Sequence, residues 1–318
     1  MTTRPQRTQF PHSDQLVVTD AGLETWLLYD RGIELPEFAA YPLVATADGR
    51  AALAEYYDHF MAIAAAADAA VELDTPTWRA NPDWARALGH DSDELAAFLV
   101  QSVNVVAEAR GRWTGDRPLI IGGAVGPRGD GYAHSQTDRA AAAAYHSFQI
   151  DRMADTPVDV ITAMTMGSTE EAIGIVDAAA RVELPVIVSF TVETDGRLPS
   201  GTSLVEAIET TDRATDGYPI HYMVNCAHPT HFDRLVRTGE PWLERLGGLR
   251  ANASTRSHEE LDEATELDRG DRHDLARRYA ELGSLLPAMH VVGGCCGTDH
   301  HHVAAIVDAV SADRTFAS

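Results

Sequence analysis

A closed α/β barrel in a single domain is the fold this sequence predicts, on three observations. Short apolar runs of strand length alternate with longer helical patterns, and eight such units can be read along the chain. A length of 318 residues suits a barrel of roughly 250 residues with insertions. The polar residues with chemical potential fall just after the apolar runs, where barrel enzymes place their chemistry.

The eight runs lie near 16–19 (LVVT), 70–74 (AVELD), 119–122 (LIIG), 158–163 (VDVITA), 185–190 (PVIVSF), 220–225 (IHYMVN), 248–252 (GLRAN) and 290–293 (HVVG). Most are short and rich in β-branched residues, as strands buried on both faces are. Helical stretches follow most of them, at 51–67, 94–110, 139–153, 170–182 and 273–285. The alanine run 64–67, flanked by Asp68 and Glu72, reads as a helix interior rather than a membrane segment. The first 15 residues, MTTRPQRTQFPHSDQ, lack the apolar core of a signal peptide. They are expected to form a flexible leader, with 16–318 as the barrel domain and a cytoplasmic location.

Forty-eight acidic and 25 basic residues give a formal charge of −23, and every basic residue is arginine. Such a surface repels nucleic acid and anionic membranes, so neither is expected as a partner. The balance also suits a cytoplasm of high salt, where screening makes acidic self-repulsion cheap.

Three cysteines occur, an odd number that argues against a disulfide framework. Cys226 follows the sixth run, and Cys295 and Cys296 follow the eighth. In a closed barrel these ends share one rim and stand two strands apart, so three reduced thiols can converge on one ion. Soft sulfur donors favour zinc, and three protein ligands leave a fourth tetrahedral position open. Three thiolates make the metal a poor activator of water. They suit instead the binding of a substrate thiol as its thiolate, an electron-rich nucleophile toward an electrophilic methyl group.

The motifs VNCAHP at 224–229 and VVGGCCGTDHHH at 291–302, in this order, resemble the homocysteine S-methyltransferase family. Weaker matching pieces are TDAGLETWLLYDRG at 19–32, TPTWRA at 75–80, GPRGDG at 126–131, YHSFQI at 145–150, SGTSLVEAI at 200–208 and RANA at 250–253. The resemblance implies Zn2+ held by Cys226, Cys295 and Cys296, with a zinc-bound homocysteine thiolate taking a methyl group to yield methionine. It places Asp20 near the substrate ammonium. Thr75, Trp78 and Thr165 would line the pocket. Asn225 would brace the first ligand's loop, Gly293, Gly294 and Gly297 would permit the tight backbone around the cysteine pair, and His302 would support the site from behind.

One departure stands out. Many family members carry Glu-Thr after the fourth strand, whose carboxylate helps bind the ammonium; here the pair is Met164-Thr165. Glu193, in FTVETDGRLPSG after the fifth strand, is the expected substitute. The expected partners are therefore a small thiol and a methyl donor. A sulfonium, S-methylmethionine or S-adenosylmethionine, is preferred as donor over betaine, and a homo-oligomer is left open. Two alternatives stand beside this reading: a methyltransferase acting on another thiol or selenol, and a non-catalytic zinc-binding or redox-sensing protein. His228 and His231 have a spacing from Cys226 that suits a metal, but are expected to be loop histidines beside the site.

Overall fold

The structure is a computed structural model and describes residues 6–132 and 137–313. Eight parallel strands close into one barrel in sequence order: β1 (Val17–Thr19), β2 (Ala70–Asp74), β3 (Leu119–Val125), β4 (Val160–Met166), β5 (Val186–Phe190), β6 (Tyr222–Asn225), β7 (Leu246–Ala251) and β8 (Val291–Gly294). Closure comes from β1 pairing with β8, Val17 opposite Val291. Around the strands stand α1 (Leu23–Thr25), α2 (Ala47–Ala66), α3 (Pro82–Ala87), α4 (Ser92–Arg112), α5 (Arg139–Ala154), α6 (Thr169–Arg181), α7 (Leu204–Thr215), α8 (His258–Asp262), α9 (Arg272–Leu285) and α10 (His300–Asp313).

Helix starts are written locally. Thr46, Asn81, Asp91, Asp138, Ser203, Ser257 and Asp271 each accept a backbone N–H in the first turn of the helix that follows. Asp91 and Ser257 complete capping boxes with Glu94 and Glu260.

The strands bury both faces, and side chains alternate between them. One set packs outward against the helices in the main core. The inward set begins at the N-terminal end of the barrel as a smaller apolar cluster of Val17, Ala70, Ile120, Val160, Ile187, Met223 and Val291. Two residues further along, the inward positions turn polar, as Glu72, Thr162, Ser189 and Asn225, all buried. The site therefore sits on a polar layer resting on an apolar floor.

Three expectations need correction. β3 runs on to Val125 and β4 to Met166, so Gly123, Met164 and Thr165 lie within strands rather than after them. Gly122–Val125 pairs with Val160–Ala163, and backbone pairing does not require an apolar side chain. β4 slips register between Ala163 and Met166, and Thr165 has a left-handed φ of 64° in this bulge. Finally, the leader is not loose along its whole length. Arg7 donates to the carbonyls of Val158 and Ala154, and Phe10 is buried against the apolar floor; residues 1–5 lie outside the described residues. Among the described residues no helix is long and apolar enough to cross a membrane.

Candidate active site

β6 ends at Asn225 and β8 at Gly294, so Cys226 and the pair Cys295-Cys296 leave neighbouring points of one rim, with β7 between them. The three ligand atoms lie within 4.8 Å of one another. Cys226 and Cys295 are joined by a disulfide, and Cys296 is free with its Sγ 3.9 Å from that of Cys226. The expectation of three reduced thiols is corrected in that respect. The reason is proximity: sulfurs placed to share one ion are also within reach of each other. In the reduced form the three would be a compact, all-sulfur donor set whose chemistry suits a soft metal ion.

The surrounding backbone is tightly fixed. Cys226 adopts a left-handed φ of 52°, a strained conformation for a side chain of this kind. Its amide donates to the Arg250 carbonyl at 3.1 Å, and its own carbonyl accepts from Asn252 Nδ2 at 3.1 Å and from His258 Nε2 at 2.6 Å. Asn225 accepts from the Thr165 amide at 2.9 Å, donates to Thr165 Oγ1 at 2.8 Å, and points Nδ2 at Cys295 Sγ at 3.8 Å. Gly294 leaves no room for a Cβ beside Thr298, Gly293 none beside Thr19, and Gly297 takes a φ of +78°. These three glycines let the cysteine pair turn sharply into the rim.

The sulfurs open into a cavity of about 480 Å³. Its floor carries Asp20 and Asp74, both ion-paired to the buried Arg250. Burial pushes the Asp20 carboxyl up to about 7 against the pull of Arg250, and the two carboxylates hold Arg250 above its ordinary value. Glu24 lines the wall, its carboxyl also raised to about 7 by burial. Burial pushes the Cys296 thiol up to about 12, with the Glu24 charge adding to the effect. Taking up a metal there must therefore displace a firmly held proton.

Asp20, Thr75, Trp78, Thr165, Asn225, Gly297 and the three cysteines all line the cavity. Thr75 bonds Thr77 Oγ1 at 2.7 Å, and Trp78 Nε1 donates to the Met164 carbonyl at 3.4 Å. Glu193 is not brought to the cavity; its Oε1 lies 3.1 Å from Nδ1 of His258, so it holds the histidine that holds Cys226. Nor does His302 reach it: its ring spans Asp299 Oδ1 at 2.7 Å and the Arg269 carbonyl at 3.0 Å, fixing the loop behind the cysteine pair. His228 bonds Thr230 Oγ1, and His231 the Thr255 carbonyl. Sequence reasoning missed Glu24, Arg79, Tyr132, Arg250 and His258, all of which line the cavity. Four stand in or beside the motifs TDAGLETWLLYDRG, TPTWRA, GPRGDG and RANA, but the string does not mark them as facing a cavity.

A search of curated proteins returns no match. Among solved structures, the oxidised form of the homocysteine methyltransferase MmuM from Escherichia coli superposes with a TM-score of 0.71 at 19% identity, over 92% of this chain and 94% of that one. Its metallated form gives 0.68 at 19% identity, over 93% and 96%. At such identity these likenesses establish the barrel. The sequence itself matches the family described as homocysteine S-methyltransferase over residues 17–310, nearly its whole length, and the chain belongs to that family.

Proposed function

We propose that this chain methylates homocysteine at a zinc ion held by Cys226, Cys295 and Cys296, with a sulfonium as the methyl donor. The observation that carries the reading is the convergence of three cysteine sulfurs within 4.8 Å on the rim of an open cavity. When bound, zinc supplies a soft Lewis acid that makes the acceptor thiol acidic near neutral pH. The strained Cys226 backbone, pinned by Asn252 and His258, sets the direction of its sulfur. Asn225 aims an N–H at Cys295 and tempers its charge. Arg250, charged and paired to Asp20 and Asp74, keeps the cavity floor rigid. In the transfer, the acceptor sulfur forms a bond to the methyl carbon as the donor's S–CH3 bond breaks. The donor leaves as a neutral thioether with the electron pair, and the acceptor's proton goes to solvent.

A cationic donor is favoured by the rest of the wall. Asp130 and Asp262 line it together with Phe38, Trp78 and Tyr132. The Asp262 carboxyl is pushed up by burial and by the charge of Asp130, a crowding that a cation relieves. Aromatic faces add attraction for a sulfonium. Met164 also lines the cavity, which keeps a different thiol as the second reading. The test is a screen of thiols against donors on reduced protein carrying one zinc per chain. Homocysteine with a sulfonium is expected to turn over fastest, and stripping the zinc to abolish it. Absence of transfer to any thiol would reject the assignment.

A further inference from the structure

The acid that the sequence offers for an ammonium, Asp20, is already ion-paired to Arg250, and Glu193 is turned away to His258. Glu24 and Arg79 line the same cavity with no ion-pair partner among the described residues, as do Asp130, Asp262 and Glu266; Glu24 is the one of these acids on the turn beside the cysteine pair, and Arg79 is the cation. Glu24 lies in α1, the turn that follows β1. That turn is pressed against the cysteine pair: at Gly22 an added Cβ would collide with the Cys295 carbonyl. Glu24 follows Gly22 by two residues in that turn and lines the cavity together with Cys295 and Cys296. It therefore stands on the sulfur side of the cavity.

Arg79 is held differently. Its guanidinium lies 4.1 Å from the centroid of the Trp84 ring and 5.2 Å from that of Trp78. One N–H donates to the Glu37 carbonyl, and Nε is buried without a hydrogen-bond partner. Glu37 and the following Phe38 both take left-handed φ angles, 54° and 56°, which are strained for residues with side chains. Strain of this kind persists where the surroundings impose it, and here it presents a carbonyl to Arg79. Glu24 and Asp130 act on the Arg79 charge from a distance without pairing to it.

We propose that Glu24 and Arg79 form the clamp that reads the amino-acid end of the acceptor thiol, Glu24 taking its ammonium and Arg79 its carboxylate. This rests on the methyl-transfer reading above. With Met164 in the barrel interior, a buried ammonium needs another carboxylate, because an unpaired buried charge is costly. Glu24 supplies it on the side where the thiol must lie. A planar guanidinium fixed by aromatic faces matches a carboxylate with two parallel hydrogen bonds. A thiol lacking either charged group leaves one member of the clamp unsatisfied, which is how such a site rejects analogues.

The experiment uses reduced zinc-loaded enzyme and three acceptors: homocysteine, 4-mercaptobutanoate without the amino group, and 3-aminopropanethiol without the carboxylate. For the wild type, each truncation should raise KM by about ten- to a hundredfold. In Glu24→Gln the gap between homocysteine and 4-mercaptobutanoate should shrink to about threefold or less, while the gap to 3-aminopropanethiol persists. Arg79→Gln should show the reverse pattern. Glu24→Asp and Arg79→Lys should restore part of each gap, which a loss of folding would not produce; zinc content and melting temperature are read in parallel. Gaps as wide in both Gln variants as in the wild type overturn the clamp. A wild type that methylates all three thiols alike also overturns it and leaves the methyl-transfer reading standing. A wild type inert toward every thiol removes that reading, and the clamp with it.

Discussion

The two ends of the barrel are made from the same strands and have opposite chemistry. At the N-terminal end, Val160, Ile187 and Met223 form an apolar plug capped by Phe10, whose ring lies 5.3 Å from His221 and 6.2 Å from His290. At the other end, β4, β5 and β6 turn inward with Thr162, Ser189 and Asn225, and the rim carries two ion-paired acids, a left-handed cysteine and three clustered sulfurs. Inside the barrel the floor is apolar packing, with its charges, Arg7 and the ion pair of Asp159 with Arg110, outside the plug; the mouth has charge, strain and open space. Apolar packing thus lies away from the cavity, and the mouth is left to chemistry that a well-packed core would not tolerate.

The largest effect that sharpens this contrast is at the mouth. Cys296→Ser should lower methyl transfer more than ~100-fold and leave less than one zinc per chain. Its unfolding midpoint, compared with that of the metal-free wild type, should move little. Metal analysis and calorimetry check both, and a large drop in that midpoint would show that the rim carries the fold as well. The next effect is at the floor. Phe10→Ala removes a buried ring and should cost about 3 kcal/mol in chemical denaturation, with KM for homocysteine unchanged. A shifted KM would break the separation of the two ends.

The smallest effect is a pH dependence. Burial, the neighbouring His290 and the Arg245 charge hold His221 well below its ordinary value of 6.5. The unfolded chain then binds the proton first as pH falls. The neutral ring's share of stability is complete above about 6.5 and declines below it, toward the depressed folded value. Between pH 7.5 and 5.5 the wild type should lose about 1 kcal/mol more than His221→Leu. Parallel slopes in denaturation curves would mean that the floor takes up protons as readily as the unfolded chain.

The sequence carried the parts of this molecule that are local. Strand positions followed from short apolar runs, and the meeting of the three cysteines from their place after the sixth and eighth runs. What it hid depends on distance along the chain. Asp20 looked free for a substrate because its partner Arg250 stands 230 positions away. Glu193 falls on the correct rim, yet its amide bonds the Arg197 carbonyl at 2.8 Å in a turned-back loop, and its carboxylate goes to His258. Met164 and Thr165 read as a loop because a bulge within a strand has no apolar signature. Glu24 and Arg79 were inside quoted motifs, but a charged residue in a loop is usually solvated, and nothing in the string says that these face a cavity.

The pinned leader has a practical side. Arg7 is fastened to carbonyls at the barrel floor, and α10, following β8, runs back toward the same end. Both described ends of the chain therefore leave from the closed side. Molecules tethered to a bead or sensor chip through a residue at either described end would stand with their mouths outward, reachable by small molecules from bulk liquid. The sequence holds no lysine, so coupling through side-chain amines cannot scatter that orientation. Immobilisation of this protein is thus oriented by its own architecture.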